Sequence, residues 1–484
     1  MITFCFAFLL FITPELLETF DKEIEQERAR WKVPGVAVGI VQGEKVYLAK
    51  GYGTRGLKDK RAVDEKTLFQ IGSISKSFTS ALVAKGVDRG DFKWEDSVIN
   101  HLPTFRMFDP WVTIQFQVVD LLCQRSGLPN HAGDSQVFLG GTAEEMIRNL
   151  RFIEPVTSFR STYAYQNIFF LVAAEILEKK TGYTFSRLLE SEIFAPLEMK
   201  SSSSSVEEYL KNNNRSEWLY RSKDGSTVSL SDDFPYRDWN YILGPAGGIN
   251  SNVEDMTKWL IFQANQGKFR GQQLISKENM APMKRPYIFV SAIGEREAYY
   301  GLGWVRLEES PYPIIWHDGA TLGAYAVAAF IPEEQLGIVV LSNERNTSLS
   351  LALALQFFDR YFDKPDHQWS EKLLQKGEES KKNLLDQINK APPSNPSSFL
   401  GTYTNQMLGE ATVKEEKGQL VLVIGKKKIN LVMKPVVRNV YTIDWSPVWD
   451  EPIKVIFVPG DRGNIDAMKI DVFEAEGSGI FKKV

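Results

Sequence analysis

A serine and a lysine stand three residues apart in this chain, as Ser73 and Lys76. The turn residue Gly72 precedes them, and an apolar run that ends at Gly90 follows, which predicts a buried helix. On a helix that begins near Ser73, Lys76 lies one turn away on the same face. The hydroxyl and the amine would then meet at the positive end of the helix, where an alkoxide forms most readily and an oxyanion is stabilised.

Ser-x-x-Lys is a weak motif by itself, and its ordinary interpretation is a capping serine beside a solvated lysine. Two further elements follow in order, Tyr165-Gln-Asn167 and His317-Asp-Gly319. A Ser-Lys acyl-transfer site needs a nucleophile, a base, a third polar group that carries protons, and a strand that closes the oxyanion hole. The three elements supply these parts, so together they favour a catalytic site.

Two other stretches fit the same short motifs, Tyr403-Thr-Asn405 and His131-Ala-Gly133. The first lies beyond a Pro- and Ser-rich linker, and the second has no apolar strand leading into it. Tyr165, by contrast, opens an apolar helical segment. Context therefore excludes both copies from the predicted site.

The elements around the motifs predict an α+β fold of the α/β-sandwich type. Its parts are an antiparallel sheet flanked by helices and an all-helical subdomain that carries the nucleophile. A small all-β domain follows. The predicted strands of the sheet lie at 36–41, 45–49, 300–305, 314–316, 325–331 and 337–341. Alternating runs at 411–413, 420–424, 440–443, 455–458 and 467–472 predict the strands of the C-terminal domain.

The chain divides into four predicted parts. Residues 1–14 are a signal peptide or hydrophobic segment, 15–365 the catalytic domain, 366–397 a helical segment with a Pro/Ser linker, and 398–484 the β-domain. Within the catalytic domain, the polar stretch 201–237 predicts a surface excursion.

Composition excludes several classes of function. The formal charge of −4, without a long basic block, gives no electrostatic support for nucleic-acid binding. The two cysteines, Cys5 and Cys123, and the four histidines have no metal-ligand spacing, so we expect no metal and no cofactor. The glycine-rich stretch 244–249 lacks a P-loop lysine and is interpreted as a structural turn.

The N-terminus allows two interpretations. The apolar run from Ile2 to Ile12 is too short to span a bilayer but suits the core of a signal peptide. It lacks a preceding Lys or Arg and an obvious small-x-small cleavage site. We expect a periplasmic or secreted protein; the alternative is a cytoplasmic protein with a start-site artefact or a buried N-terminal segment.

The ordered motifs resemble those of the serine β-lactamase-like superfamily, which includes class C β-lactamases, low-molecular-mass penicillin-binding proteins, D-aminopeptidases and CubicO-type esterases. The resemblance covers roughly residues 20–362. The tail, which opens with Leu400-Gly-Thr-Tyr-Thr-Asn405, resembles a lipocalin-like β-domain found in some members. Other segments with family-like sequences are Leu121–Leu128, Ile193–Met199, Pro245–Ile249, Asp255–Trp259 and Tyr300–Trp304.

The resemblance implies a role for each motif residue. Ser73 would be the acylated nucleophile, Lys76 its base, and Tyr165 the relay of a proton to the leaving group. Asn167 would hold the lysine and a substrate carbonyl.

On the strand side, the backbone N–H groups of Ser73 and Ala320 would form the oxyanion hole. Gly319 would allow their close approach. His317 stands where many relatives have lysine.

The chain also departs from the family pattern. Gln124 stands where the family often has histidine, and His317-Asp318 replaces a Lys-Thr pair that binds a substrate carboxylate. A neutral histidine beside an aspartate argues against strong binding of the penicillin carboxylate. Because side chains alternate along a strand, the alternative is that Asp318 faces away from the site.

The predicted function is a serine hydrolase that acts through an acyl-enzyme on amide or ester bonds, with peptidase or esterase action favoured. The alternatives are a β-lactamase or D-Ala-D-Ala carboxypeptidase, a catalytically idle relative that binds a peptide or cell-wall fragment, and a structural or interaction protein. The predicted partner is a small-molecule or peptide substrate, with no nucleic acid and no metal. Self-association through the C-terminal domain is a further prediction.

Overall fold

The computed structural model describes residues 11–222, 225–293, 296–345, 347–365, 367–382, 396–445, 452–460 and 464–484. Most of the predicted N-terminal segment, and the Pro/Ser part of the predicted linker, lie outside the described residues. The chain forms two compact units. The first comprises the chain up to Asp91, Gly182–Phe234 and Gly247–Glu378, and the second comprises Phe92–Thr181, Pro235–Ala246 and Glu379–Val484.

The first unit is built on an antiparallel sheet of eight strands, which confirms that the fold contains an antiparallel sheet flanked by helices. The predicted strand at 300–305 is wrong, because residues 301–304 form the connection between the strands Arg296–Tyr300 and Val305–Leu307. The second and third strands across the sheet, Gly35–Gln42 and Leu336–Ser342, are buried along their whole length because helices cover both faces. The strands, in order across the sheet, are Lys45–Gly53, Gly35–Gln42, Leu336–Ser342, Tyr325–Ile331, Ile314–Ala320, Val305–Leu307, Arg296–Tyr300 and Ile288–Ile293.

Two helices, Pro14–Arg30 and Leu349–Tyr361, pack on one face of this sheet and bury Phe20 and Phe357 against its strands. The first helix begins at Thr13, whose hydroxyl oxygen accepts the N–H of Leu16 at 3.1 Å.

The other face of the sheet carries the helix Val253–Ala264. An added Cβ on Gly39 in the sheet would lie 2.6 Å from Thr257 Cγ2 of that helix. A further helix, Ser75–Arg89, packs on it through Phe78 and Trp259, whose rings stack 3.7 Å apart. This helix, called the serine helix below, therefore rests on a buried layer of the sandwich.

Apart from the 14-residue helix Trp369–Lys382, which continues beyond the last residue of the first unit, Glu378, the remaining elements are short. The polar stretch 201–237 is less of a surface excursion than predicted, because Tyr209 and Trp218 within it are buried and stacked. The other helices are Phe185–Leu189, Val206–Lys211, Lys277–Met280 and Trp369–Lys382, and the paired short strands are Phe69–Gln70 with Asn250–Ser251, Leu219–Arg221 with Thr227–Ser229, and Lys268–Phe269 with Gln272–Gln273.

The second unit combines a helical part with the C-terminal domain. Its longest helix, Ile168–Thr181, is apolar and mostly buried, and Gly182 follows with a φ of 74°. The other helices of this part are Pro110–Gln115, Ala143–Asn149, Trp239–Ile242 and Gly244–Gly247, the last of which ends at the first residue of the next segment of the first unit.

The C-terminal domain is a closed antiparallel barrel of eight strands, which confirms the predicted all-β domain. Its interior is filled by side chains, among them Phe399 and Phe457, whose rings stack 4.3 Å apart, and Tyr403. The strands are Gly401–Asn405, Gly409–Glu416, Gln419–Ile424, Ile429–Val437, Val440–Ile443, Ile453–Pro459, Ile465–Ile470 and Ile480–Lys483, and the helix Asp471–Ala475 joins the last two.

No helix within the described ranges is long and apolar enough to cross a membrane. Among the same residues, no group of three His, Cys, Asp or Glu side chains is placed to hold a metal ion. Cys123 is a free, buried thiol.

Candidate active site

Ser73 lies in a single 3-10 turn, Gly72–Ile74, that leads directly into the serine helix. Gly72 has a φ of 51°, a conformation that glycine adopts without strain. The helix ends at Gly90, whose φ is 79°. The serine is thus placed just before the N-terminus of the helix, where the sequence predicted it.

Lys76 reaches back from the first turn of the helix to the serine. Its Nζ donates a hydrogen bond to Ser73 Oγ at 3.1 Å. The lysine is completely buried. A nucleophile and a candidate base are therefore within one hydrogen bond of each other, in surroundings that exclude water.

Ile249, which immediately precedes the short strand Asn250–Ser251, holds the serine turn in place. The Ile71 N–H donates to the Ile249 carbonyl oxygen at 3.0 Å, and the Ile249 N–H donates to Ser75 Oγ at 3.1 Å. Ser75 Oγ in turn donates to the carbonyl oxygen of Gly72 at 2.7 Å. The glycine-rich stretch 244–249 thus leads into the backbone support of the serine turn. Ser75 is a supporting residue that sequence reasoning missed.

The strand Ile314–Ala320 passes close to the same turn. A Cβ on Gly319 would lie 1.9 Å from the Ile71 carbonyl oxygen and 2.7 Å from Ser73 N. A Cβ on Gly72 would lie 2.7 Å from Ala320 N. The backbone N–H groups of Ser73 and Ala320 are therefore neighbours. Two such donors at a helix start can stabilise an oxyanion.

His317 is a buried, neutral side chain on this strand. Its pKa is lowered to about 4, mainly by burial; Asp318 opposes the shift, and a positive charge on Lys76 would add to it. The ring Nδ1 lies 2.5 Å from the carbonyl oxygen of Asp318, and Nε2 lies 2.9 Å from Tyr300 Oη. These contacts assign the tautomer in which Nδ1–H donates to the carbonyl and Nε2 accepts the tyrosine hydroxyl. His317 therefore supplies no positive charge at neutral pH.

Asp318 occupies the opposite face of the strand from His317. Its Oδ2 accepts the hydroxyl of Tyr325 from the neighbouring strand at 2.9 Å, and its side chain is 44% exposed. The two side chains approach each other only to 3.8 Å, at His317 Nδ1. Strand alternation and the contact with Tyr325 thus favour the alternative in which the Asp318 side chain faces away from the site, while its charge still lies near the ring of His317.

The segment Tyr300–Trp304 packs on the serine helix from another side. Gly303 has a φ of 71°, and a Cβ there would lie 2.7 Å from the Lys76 carbonyl oxygen and 2.6 Å from Ser80 Oγ. Two contacts therefore explain why this segment has a glycine and a tyrosine at these positions. Its second glycine permits the close approach, and Tyr300 bonds His317. Sequence reasoning noted the segment but missed the role of Tyr300.

The other two predicted residues, Tyr165 and Asn167, belong to the second unit, just before the helix Ile168–Thr181. The Tyr165 N–H donates to Asn130 Oδ1 at 2.7 Å, and its carbonyl oxygen accepts the N–H of His131 at 2.7 Å. The tyrosine is thereby held by its backbone, and its side chain is half-buried.

Asn167 is fixed by its side chain. Its Nδ2 donates to Asp134 Oδ2 at 2.5 Å, and the same oxygen lies 2.8 Å from His131 Nδ1. His131, which context excluded as a strand motif, lies on a turn, with its ring centroid 5.3 Å from that of Tyr165. Sequence reasoning missed both Asp134 and the place of His131 beside the tyrosine motif.

Gln124, which stands where the family often has histidine, supports the tyrosine motif. Its Oε1 accepts the Gln166 N–H at 2.7 Å, and its Nε2 donates to the Gln166 carbonyl oxygen at 3.1 Å. Gln166 lies between Tyr165 and Asn167. The two-point contact therefore fixes the backbone of the tyrosine motif.

The structure thus brings Ser73, Lys76, His317, Gly319 and Ala320 together in the first unit. It places Tyr165 and Asn167 together in the second unit.

The chain matches known families and a known structure over most of its length. The Beta-lactamase family matches residues 20–356, and a domain family of unknown function, DUF3471, matches residues 386–481. A solved structure, the octameric penicillin-binding protein homologue from Pyrococcus abyssi, superposes with a TM-score of 0.64 at 22% identity. The superposition covers 96% of this chain and 100% of that chain.

Two curated relatives share about a quarter of their aligned residues with this chain. The unguisins hydrolase ungD' of Aspergillus campestris (strain IBT 28561) is 27% identical over 80% of this chain and 75% of its own length. Protein flp of Staphylococcus aureus (strain MRSA252) is 25% identical over 69% of this chain, and the match spans 64% of that protein. Since the family match covers most of the chain, the protein belongs to the Beta-lactamase family, the superfamily of serine β-lactamases and penicillin-binding proteins.

Proposed function

We propose that the protein hydrolyses amide or ester bonds through an acyl-enzyme formed on Ser73. The observation that carries the proposal is the 3.1 Å hydrogen bond between Lys76 Nζ and Ser73 Oγ, next to the paired backbone N–H groups of Ser73 and Ala320. A catalytically idle binding protein has no need of a buried lysine on a serine, together with an intact tyrosine motif.

The proposed acylation begins when a substrate carbonyl enters between the two N–H groups. Ser73 Oγ bonds to the carbonyl carbon while its proton passes to Lys76 Nζ, which must be neutral, the form that burial favours in an amine. The two N–H groups donate hydrogen bonds to the oxyanion of the tetrahedral intermediate. The intermediate collapses to an ester on Ser73 and expels the alcohol or amine, which takes the proton by way of Tyr165.

Deacylation reverses the proton path. A water molecule loses a proton to the Lys76–Tyr165 pair and attacks the ester carbonyl. The carboxylic acid leaves and Ser73 Oγ recovers its proton. In this scheme Asn167 orients Lys76 and the substrate carbonyl. The roles of Tyr165 and Asn167 follow from the family resemblance.

We propose that the substrate is neutral where it meets the strand Ile314–Ala320. His317 is uncharged at neutral pH and both of its ring nitrogens are engaged, so the strand has no cation here for a substrate carboxylate. This favours a peptidase or esterase over a β-lactamase or D-Ala-D-Ala carboxypeptidase. The hydrolase name of the Aspergillus campestris relative is consistent with such an activity.

A substrate panel tests the proposal. Purified protein would be assayed with p-nitrophenyl esters, D- and L-amino-acid p-nitroanilides and nitrocefin, beside Ser73→Ala and an exposed-serine control, Ser191→Ala. We expect turnover of a neutral ester or anilide to exceed that of nitrocefin, and Ser73→Ala to abolish it. A Ser73→Ala variant that keeps more than about a tenth of the activity, roughly 1.4 kcal/mol of barrier, would contradict the proposal.

Two further proposals concern assembly and localisation.

We propose self-association through the C-terminal barrel because the Pyrococcus abyssi homologue is octameric, and light scattering of the purified protein would test it. Export is proposed from the apolar run at residues 2–12, and sequencing the N-terminus of the mature protein would test it.

A further inference from the structure

A loop in the second unit, residues 130–137, supports the tyrosine motif. Asp134 in this loop accepts the Asn167 amide at 2.5 Å and lies 2.8 Å from His131 Nδ1. Asn130 in the same loop accepts the Tyr165 N–H. The position of the Asn167 side chain therefore depends on where this loop is held.

Ser135, the residue after Asp134, is hydrogen-bonded to Glu476 of the C-terminal domain, which lies 341 residues further along the chain. The Ser135 N–H donates to Glu476 Oε2 at 2.8 Å, and Ser135 Oγ donates to Glu476 Oε1 at 2.5 Å. Ser135 is 1% exposed and Glu476 is 8% exposed. One carboxyl group thus satisfies two buried donors of the loop.

The turn that carries Glu476 is fitted closely to the helical part of the unit. Gly477 has a φ of 85°, and a Cβ there would lie 2.8 Å from Ile153 Cγ2 and 3.2 Å from Pro129 Cγ. Pro129 immediately precedes the loop. A shift of this turn would therefore be transmitted to the loop.

The surroundings favour the neutral form of the Glu476 side chain. Burial, and then the negative charge of Asp134, raise its pKa to about 8, while the hydrogen bonds from Ser135 oppose the shift. A glutamine side chain keeps an acceptor for the Ser135 N–H and is also neutral. An alanine leaves that N–H buried without its acceptor.

We propose that Glu476 is a positioning residue of the active site. By anchoring Ser135 it fixes Asp134, and Asp134 fixes the amide of Asn167. The C-terminal barrel would thereby set the rate of Ser73 acylation without contacting the reacting atoms. This inference rests on the proposed function, in which Asn167 takes part in acylation.

The test measures the rate of Ser73 labelling by a fluorescent fluorophosphonate in full-length variants. Displacement of a catalytic side chain by even about 1 Å can slow a reaction by around a hundredfold, so we expect Glu476→Ala to label about ten- to a hundredfold more slowly. Glu476→Gln should label within about twofold of the wild type, because it retains the hydrogen bond to the loop. Lys426→Ala is the matched control. It removes an exposed ion pair with Glu145 between the same barrel and the helical part, and should also stay within about twofold.

A double-variant cycle separates positioning from a general loss of stability. In an Asn167→Ala background, adding Glu476→Ala should slow labelling no further, because both changes act on the same amide. Slowing by the same factor in both backgrounds, or a Glu476→Ala variant that labels like the wild type, would overturn the inference. If Glu476→Ala fails to fold, Ser135→Ala tests the same contact, and we expect it to label about threefold more slowly than the wild type. Labelling of Ser135→Ala at the wild-type rate would also overturn the inference.

Failure of the proposed function gives a different result. If Ser73→Ala still labels, or Asn167→Ala labels at the wild-type rate, the proposed function is wrong and the inference falls with it. If both variants are impaired while Glu476→Ala is not, only the inference is wrong.

Discussion

The residues of the candidate site are held in two different ways in the two units. In the first unit, backbone geometry positions Ser73 and Ala320. Gly72 and Gly319 allow two backbone segments to approach so closely that added Cβ atoms would clash. In the second unit, side-chain hydrogen bonds position Asn167, through Asp134. The comparison predicts that the Asn167 amide is more sensitive than Ser73 and Ala320 to substitutions in the loop 130–137.

The largest expected effect concerns the proposed base and the proposed proton relay. Lys76→Ala should reduce kcat/KM by several orders of magnitude, as expected for a residue that activates the nucleophile, and Tyr165→Phe should also be severe. If both side chains serve one proton path, the double variant should be little worse than the worse single variant. Steady-state kinetics of the four proteins with one neutral ester would decide this. Losses that add in free energy would show that the two side chains act independently.

The next largest effect comes from disturbing the backbone geometry around Ser73 in the first unit. Gly319→Ala places a methyl group 1.9 Å from the Ile71 carbonyl oxygen, so the strand must move away from the serine turn. We expect kcat to fall about a hundred- to a thousandfold, the usual loss when an oxyanion donor is displaced. Gly244→Ala is the control, since a Cβ there has no neighbour within 4 Å. Near-normal turnover by Gly319→Ala would mean that Ala320 N–H is not an oxyanion donor.

A smaller effect follows from the burial of His317. Its pKa falls from about 6.5 in the unfolded chain to about 4 in the folded protein, so the unfolded state binds more protons between these values. The contribution to stability is present above pH 6.5 and is lost as the pH falls towards 4, by on the order of 3 kcal/mol. Urea unfolding of wild type and His317→Gln across this range measures it. A difference in unfolding free energy that does not change with pH would contradict the neutral assignment.

The smallest expected effect is at Asp318. Since its side chain bonds Tyr325 on the face opposite His317, Asp318→Thr should leave the ratio of nitrocefin to neutral-ester kcat/KM unchanged within about twofold. The same ratio measured in Tyr325→Phe, which removes the hydroxyl from Asp318, is the control. A clear rise in relative nitrocefin turnover for Asp318→Thr would show that its charge does reach the substrate.

The sequence predicted contacts between residues that are close together in the chain better than contacts between distant segments. Ser73 and Lys76 are three residues apart, so helical spacing alone brings them together. The approach of Gly319 to the serine turn joins segments far apart in sequence, and only the family resemblance anticipated it. The anchor between Ser135 and Glu476 has no motif at either end, and so no sequence signal pointed to it.

The fold shows the same limit. The alternating runs of the C-terminal domain predicted strands at 411–413 and 420–424, which lie within the observed strands. Gly401–Asn405 and Ile480–Lys483, which close the barrel, were missed because they are short or polar and their pairing is a long-range property. The buried Tyr209 and Trp218 lie in a stretch whose serine and asparagine content suggested only surface.

The identity of the nucleophile is tested most directly by mapping the adduct. Full-length protein would be treated with a fluorophosphonate, digested and examined by tandem mass spectrometry, beside Lys76→Ala and Ser73→Ala. We predict one modified residue, Ser73, with labelling greatly slowed in Lys76→Ala and absent in Ser73→Ala. Modification of a different serine, or no modification of the folded wild type, would contradict the account.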